Sequence, residues 1–500
     1  MIDITTRQNI QLRGLSLDAA SEVIDGLHAL NQTCIQTGFD NIRNMVSLCT
    51  HVHAPVRWMA SSHMGVPGAT LTSVRVRMRR SPGRPNPSPI THHPSPITQH
   101  PSPITHHPSP ITHHPSPITL QVGNPLAGID ENEMVDTRPF CNMLNDLVTL
   151  DEATGERGNP AYCNLPRKFN ICVSGNRDDY AHTHINDIGF VPAPHALTAE
   201  MGFNVVFGGY MSIKRVAESI PADIWIPATL EAARGLSEAT LRIFRDEGDR
   251  SDRQKARLMW VIEKYGVEAW RAKLLAEPAL KGIRVETEQP APTTPYERRE
   301  LLGVHAQPDG KMRVGIHVPA GRLSVAEARQ VADLSERYSA GEIRLTVEQN
   351  VLLPNVDVDA LGTLLAEPAL TGSSRMSVEP GHIVGHTISC TGSQFCGLAM
   401  IETKANAERL ARKLDALVTV PRPLRVHWTG CPNSCGQVRE CMHTCTHAHA
   451  FVRTVHPPPS TLTQLVPGHW PDGPCALGAL TACIHASVPS PYPLLRCRWR

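Results

Sequence analysis

The sequence predicts an α+β protein that contains a duplicated unit. Segments with the two-residue period of a strand alternate with segments whose apolar residues have helical spacing. One strand-and-turn pattern occurs twice, because residues 4–12 match residues 345–353 and both copies run into a Gln-Asn pair. We therefore expect two related halves with pseudo-two-fold symmetry.

The first half of the chain contains strand and helix signals in alternation. Residues 1–14 have the pattern of a strand, and Ser16 can cap a following helix. Strands and helices alternate again from about residue 122 to residue 285. One helix is expected to begin near Ser251 and to carry Leu258, Met259, Val261 and Ile262.

A second compact unit follows the Pro-rich linker at residues 289–295. Its helix is predicted from the capping box formed by Ser324 and Glu327. Its strand, residues 343–347, alternates polar and apolar side chains. A further helix is expected between the two cysteine pairs described below.

The composition narrows the classes of function. A chain of 500 residues with 41% hydrophobic and 19% charged residues is typical of a globular protein with several domains. The net charge of +1 favours neither a nucleic-acid nor a membrane partner, and no apolar run reaches the roughly 18 residues of a spanning helix. The fourteen cysteines are sparse, and the strongest form short pairs, which indicates metal or cluster ligands in a reducing compartment.

Two segments differ in composition from the rest of the chain. Residues 45–121 lack Lys, Asp and Glu and contain the repeat Pro-Ser-Pro-Ile-Thr-His-His, which predicts an extended, disordered arm. Residues 441–500 lack Lys and Glu and are expected to form a disordered tail. The repeat histidines could bind a metal, but a low-complexity repeat without a function is favoured.

The strongest chemical signal is a pair of cysteine motifs. Cys390 and Cys396 have Cys-x5-Cys spacing, and Cys431 and Cys435 have Cys-x3-Cys spacing. Four thiolates are what a [4Fe–4S] cluster needs, and small residues beside each cysteine would let the backbone approach a bulky cofactor. A structural zinc site is the alternative, but Cys-x5-Cys is wide for zinc.

These motifs resemble the sulfite and nitrite reductase family, which couples a [4Fe–4S] cluster to siroheme. The resemblance covers residues 1–44 and 122–440 and includes ordered motifs at 5–9, 40–44, 122–128, 164–170, 184–187, 344–350 and 427–430. It implies ferredoxin-like half-domains and siroheme/[4Fe–4S] domains in duplicate. It also implies that Cys435 both ligates the cluster and bridges to the siroheme iron.

The resemblance further assigns the substrate site. Arg43 and Lys168 match positions that line the substrate face, and Arg7 matches a siroheme-supporting position. Asn170 stands where sulfite reductases have a second lysine, which favours the singly charged nitrite over sulfite. The implied catalytic set is therefore Arg43, Lys168 and Asn170.

The implied reaction is the six-electron reduction of nitrite to ammonium in nitrate assimilation. No Gly-x-Gly-x-x-Gly fingerprint opens a βαβ unit, so the electrons are expected from outside, with ferredoxin as the donor. The resemblance to the plant and algal enzymes also implies a monomer in the chloroplast stroma. The alternatives are a sulfite reductase and a non-catalytic cluster-binding fragment.

The expected organisation departs from the family at both ends and in the middle. We predict six segments: a partial ferredoxin-like half-domain with the start of the siroheme domain (1–44), the insertion (45–121), a first siroheme-binding domain (122–285), a second ferredoxin-like half-domain (286–362), a truncated [4Fe–4S]/siroheme domain (363–440) and a non-homologous tail (441–500). Such a pattern suggests a gene-model artefact, with retained intron sequence and lost exons.

Overall fold

The computed structural model describes residues 1–16, 18–29, 42–46, 124–156, 159–162, 164–212, 215–291, 298–436 and 482–486. Residues 28–29, 42–46 and 482–486 are described by their backbone alone. Most of the predicted insertion and tail therefore lies outside the described residues. The predicted domain boundaries stay a prediction.

Eight helices are found in the described part of the chain. They are α1 (Ala19–Ala29), α2 (Arg138–Thr149), α3 (Leu230–Glu247), α4 (Leu258–Tyr265), α5 (Val267–Leu275), α6 (Val325–Tyr338), α7 (Val358–Leu365) and α8 (Lys404–Leu417). None of these described helices has the length and apolar character that a membrane span requires.

Seventeen strands complete the described structure. They are β1 (Ile2–Ile4), β2 (Ile10–Leu12), β3 (Ile42–Val46), β4 (Phe169–Val173), β5 (Ile188–Pro194), β6 (Met201–Phe207), β7 (Tyr210–Met211), β8 (Val216–Ala217), β9 (Ile220–Pro227), β10 (Gly303–Ala306), β11 (Met312–Ile316), β12 (Arg322–Leu323), β13 (Arg344–Leu345), β14 (Val351–Val356), β15 (Thr387–Ser389), β16 (Leu424–Trp428) and β17 (Ala482–Ala486).

The largest sheet has the strand order β3-β4-β5-β6-β9. Strands β3, β4 and β5 are parallel, and β6 and β9 complete the sheet in antiparallel fashion. Helices α2 and α3 pack on it through a core that includes Phe169, Phe203 and Phe244, all with no exposed surface. The burial of these aromatic rings contributes to the stability of this half of the protein.

The second half contains three smaller sheets. Their strand orders are β10-β11-β14-β13, β12-β1-β2 and β15-β16-β17. Strand β1 pairs with β12, so the first residues of the chain join the second half. The fold is thus a mixture of helices and antiparallel and parallel sheets, as the α+β prediction states.

The two segments of the predicted internal repeat form the same turn. In the first copy the Thr5 N–H donates to the Asn9 carbonyl at 2.8 Å, and in the second the Thr346 N–H donates to the Asn350 carbonyl at 3.0 Å. Each threonine hydroxyl also accepts from the same asparagine N–H, at 3.0 and 2.9 Å. The shared hydrogen bonds agree with a repeat at these two positions, and the duplication of the larger unit stays a prediction.

The glutamine of each turn has a left-handed backbone. Gln8 has φ 55° and Gln349 has φ 67°, a region that residues other than glycine seldom adopt. The Gln349 side chain compensates for this strain, because it donates to the Ile4 carbonyl at 2.8 Å and accepts from the Ser389 N–H at 2.8 Å. The turn of the second copy therefore contacts the first copy directly.

Three local predictions need correction. Helix α4 begins at Leu258 rather than near Ser251, because Asp249 and Asp252 accept hydrogen bonds from nearby N–H groups and hold that segment in turns. The strand expected at residues 343–347 is shorter than predicted, because only β13 (Arg344–Leu345) is extended and paired there. Strand β17, which pairs antiparallel with β16, lies within the segment that was predicted to be disordered.

Candidate functional site

The two cysteine loops follow neighbouring parallel strands. Cys390 comes directly after β15 and Cys431 follows β16, and these strands are parallel with Ser389 opposite Trp428. The C-terminal ends of parallel strands meet at one edge of a sheet. Helix α8, predicted between the motifs, provides the crossover and brings both loops to this edge.

The four cysteines are free and lie at the surface of this edge. Cys390, Cys396 and Cys431 are partly exposed, and Cys435 is exposed. Cys390, Cys396 and Cys431 all lie within electrostatic range of Cys435. Burial by the surrounding protein nevertheless raises the pKa of the Cys435 thiol, and Lys168 opposes that shift.

The donor arrangement argues against the zinc alternative. Among the described residues, no three His, Cys, Asp or Glu side chains are grouped so that they could hold a single metal ion. Four thiolates around one zinc ion at 2.3 Å would be only about 3.8 Å apart. The sulfurs that ligate a cubane cluster are separated by the cluster itself and lie farther apart than the ligands of one zinc ion.

Hydrogen bonds to two of the sulfurs also fit a cluster. The Gly430 N–H donates to the Cys390 sulfur at 3.1 Å, and the Asn433 amide lies 3.5 Å from the Cys431 sulfur. N–H groups directed at the sulfurs stabilise their negative charge and tune the reduction potential of a cluster.

The glycines of the cysteine loops pack closely against protein. A Cβ added to Gly392 would lie 2.6 Å from the Thr403 hydroxyl oxygen, and one added to Gly436 would lie 2.3 Å from the Trp428 carbonyl oxygen. These glycines therefore allow the loops to pack against neighbouring segments of the chain, and their predicted role in admitting a cofactor stays a prediction. Gly392 also needs glycine for its φ of 76°.

The two repeat turns contact the two cysteine loops. The Thr6 hydroxyl donates to the Cys435 carbonyl at 3.0 Å. The Gln349 amide donates to the carbonyl of Ser389, the residue before Cys390, at 2.9 Å. Each copy of the repeat therefore positions one cysteine pair, although these contacts join residues up to 429 positions apart.

Two of the predicted cations lie near Cys435. Lys168 and Arg7 are each within electrostatic range of its thiol. Arg7 is held by a 2.8 Å hydrogen bond to the Asn186 side-chain oxygen, and burial together with the nearby Arg257 lowers its pKa to about 10. Arg7 therefore stays positively charged at neutral pH.

The remaining predicted residues lie on adjacent strands. Asn170 is in β4 and 1% exposed, and it lies two positions after Lys168, which precedes the strand. Arg43 belongs to β3, which pairs parallel with β4, and the register shifts between Ile42 and Asn44. The Arg43 side chain is outside the described residues.

A buried ion pair that the sequence did not predict supports this strand. Arg257 and Asp187 are 5% and 0% exposed and lie 2.6 Å apart, and Asp187 also accepts from the Asn170 N–H at 2.8 Å. The guanidinium group packs 4.8 Å from the centre of the Tyr210 ring. The pair therefore helps to fix the position of β4 at Asn170.

Replacing Arg257 with Met is expected to lower the free energy of unfolding by about 3–5 kcal/mol, because Asp187 would be left charged and buried. Urea denaturation measures the loss. Arg215 is a matched control, since it packs 4.9 Å from the Trp260 ring but pairs with the exposed Glu263. R215M should cost about 1 kcal/mol or less, and equal losses in the two variants would contradict this account.

Two segments of the chain match known families of protein domains. A nitrite and sulphite reductase 4Fe-4S domain matches residues 118–281, and a nitrite/sulfite reductase ferredoxin-like half domain matches residues 305–370. The chain is also 39% identical to a ferredoxin–nitrite reductase of Synechococcus elongatus, over 87% of this chain and 68% of that protein. The chain belongs to the nitrite and sulfite reductase family.

Other members of the nitrite and sulfite reductase family are also similar to this chain in sequence or in structure. The chloroplastic ferredoxin–nitrite reductase of Zea mays is 39% identical over 440 residues, which cover 87% of this chain and 62% of that enzyme. The chain spans about three fifths of the length of the plant relatives that it matches. The solved structure of the Mycobacterium tuberculosis NirA protein has a TM-score of 0.55 and 28% identity, and covers 63% of this chain and 55% of that one.

The first family match contains Lys168 and Asn170 but none of the four cysteines. The cysteine loops therefore need the argument from geometry given above. The ferredoxin-like match covers the end of β10 and all of β11, β12, α6, β13, β14 and α7, and it shows the ferredoxin-like half-domain that the fold prediction includes.

Proposed function

We propose that this protein reduces nitrite to ammonium at a siroheme coupled to a [4Fe–4S] cluster, with electrons from ferredoxin. The observation that carries the proposal is the surroundings of the Cys435 thiol. The other three cysteines and the Lys168 ammonium all lie within its electrostatic range, and Arg7 lies within range as well. The four candidate cluster ligands therefore lie near two cations. A site that reduces an anion needs positive charge of this kind.

The residues present fit both cofactors. Cys390, Cys396, Cys431 and Cys435 would hold the cluster, and Cys435 would also bridge to siroheme. Siroheme carries several carboxylates, which Arg7 would neutralise through a charge-assisted contact. When bound, the two groups would relay the electrons from ferredoxin and supply the iron centre at which nitrite is reduced.

The side chains of the protein would bind the nitrite anion and donate protons to it. The Lys168 ammonium, with Arg43, would bind the nitrite oxygens and balance the negative charge as electrons arrive. A lysine ammonium can also donate a proton to an oxygen that leaves as water. The Asn170 amide would offer a neutral hydrogen bond, which suits a singly charged anion.

A direct assay tests the proposal. The full chain, loaded with siroheme and cluster and given reduced ferredoxin, is expected to form ammonium from nitrite faster than sulfide from sulfite. Faster turnover of sulfite would favour the sulfite reductase alternative. A chain that takes up the cluster but shows no siroheme absorption band would be a cluster-binding protein and not this enzyme.

Substitution of Asn170 tests the basis of substrate choice. N170K adds the second lysine of the sulfite reductases, so the ratio of kcat/KM for sulfite to that for nitrite should rise by about tenfold, or 1.4 kcal/mol. N170A is the matched control, since it removes the amide without adding a charge. A similar ratio in the two variants would exclude this role for the residue.

We also propose a monomer in the chloroplast stroma. The plant relatives are named as chloroplastic, whereas the Synechococcus relative is not. Light scattering of the purified protein and fractionation of cells that express the tagged chain would test the two statements.

A further inference from the structure

Lys404 is a buried cation next to the cysteine loops. It is the first residue of α8 and only 2% exposed. Its ammonium donates to the carbonyl of Ala320 and, at 3.3 Å, to the carbonyl of Ser389, the residue before Cys390. Neither the cysteine motifs nor the predicted site included this residue.

The charge of Lys404 has no direct counter-ion among the described residues. Asp3 is an acidic residue whose charge acts on Lys404. Its carboxylate is, however, already paired with Arg322, at 2.7 and 2.9 Å, and with Arg13, at 3.6 Å. Burial lowers the pKa of Lys404 to about 8, while Asp3 and Cys390 act to raise it. A buried charge held only by carbonyl groups is costly unless a negative group lies near.

The start of helix α8 adds positive potential at the same place. Thr403, the residue before the helix, donates from its hydroxyl to the Cys390 carbonyl at 2.7 Å, and the Cys390 sulfur lies 3.6 Å from that hydroxyl. The N-terminal end of a 14-residue helix carries a partial positive charge and stabilises nearby anions. Lys404 and the helix end therefore act on Cys390 in the same direction.

We propose that Lys404 is a positioning residue whose ammonium raises the reduction potential of the cluster held by Cys390. The inference rests on the proposed function, because it needs the cluster to be bound. Reduction adds one electron, and thus one negative charge, to a group that already carries four thiolates. A fixed positive charge beside one thiolate stabilises the reduced state more than the oxidised state.

The test is a redox titration of the loaded full chain, followed by the electron paramagnetic resonance signal of the reduced cluster. K404M removes the charge, and K404Q removes it while keeping an N–H₂ group that can donate to the two carbonyls. Both variants should shift the reduction equilibrium at least tenfold towards the oxidised cluster, which is about 59 mV for one electron. K413M, at an exposed position on the same helix, should leave the potential unchanged.

The outcomes separate the two proposals. An unchanged potential in K404Q and K404M would overturn the role of Lys404 and leave the proposed function intact. Folded variants that fail to hold the cluster would show a purely structural role, which would also overturn it. A wild-type chain without a reducible cluster would overturn both proposals.

Discussion

Replacing Cys435 with alanine is expected to reduce nitrite reduction below detection while the chain still folds. The thiol is exposed and lies at the end of a loop, so its loss leaves no cavity in the core. Under the proposed function, however, the substitution would remove both a cluster ligand and the bridge to siroheme. Ammonium formation, the siroheme absorption band and the resonance signal of the cluster measure the three consequences.

Cys141 provides the control for Cys435. It is a free cysteine, 1% exposed, in helix α2. C141A should cost about 1 kcal/mol of stability, as is usual for a small truncation in a core, and should retain both cofactors. A C435A protein with full cofactor content and normal turnover would show that Cys435 is not the bridging residue.

Replacing Lys168 with methionine is expected to lower kcat/KM for nitrite by about 10²–10³-fold, the usual cost of losing one charge-stabilising donor. Siroheme and cluster content should not change, since Lys168 is assigned to the substrate and not to either cofactor. K168R keeps the charge but alters the donor geometry, and should recover part of the activity. Steady-state kinetics with reduced ferredoxin measures each value.

Lys281 is a suitable control, because it is an exposed lysine at the end of a short helical turn. K281M should behave like the wild type. If K168M kept the wild-type kcat/KM for nitrite, the assignment of the substrate face would be wrong, even with the cluster ligands correctly identified.

The sequence predicted those parts of the site that depend on spacing along the chain. The cysteine motifs and the crossover helix between them are local patterns, and the structure brings their loops to one sheet edge as expected. The repeat was visible because the turn at Thr5 and the turn at Thr346 need the same residue types to close the same hydrogen bonds. Local interactions of this kind can be recognised in a sequence, because they require particular residue types at a fixed spacing.

Some residues that support the site were not predicted from the sequence, and all of them act through contacts between distant parts of the chain. Arg257 and Asp187 are 70 residues apart, and Lys404 meets Ala320 across 84 residues. An isolated Arg or Lys in a sequence is most simply explained as a solvated surface charge. Only the fold shows that these cations are buried and what they contact.

The glycine residues of the cysteine loops show that one motif can have two physical causes. Gly392 and Gly436 each pack closely against α8 or β16 or the segments beside them, in addition to any approach to a cofactor. The motif constrains how the loops fold as well as the chemistry of their cysteines. Both constraints act on the same few residues, so the sequence alone does not separate them.

In the proposed function the four cysteines hold a cluster that is joined to siroheme through Cys435. Mössbauer spectroscopy of the loaded, iron-57-enriched chain can detect this junction. We predict that the cluster irons share the electronic spin of the siroheme iron, and that C435A abolishes this coupling. A cluster whose irons are magnetically independent of siroheme in the wild-type chain would exclude the junction.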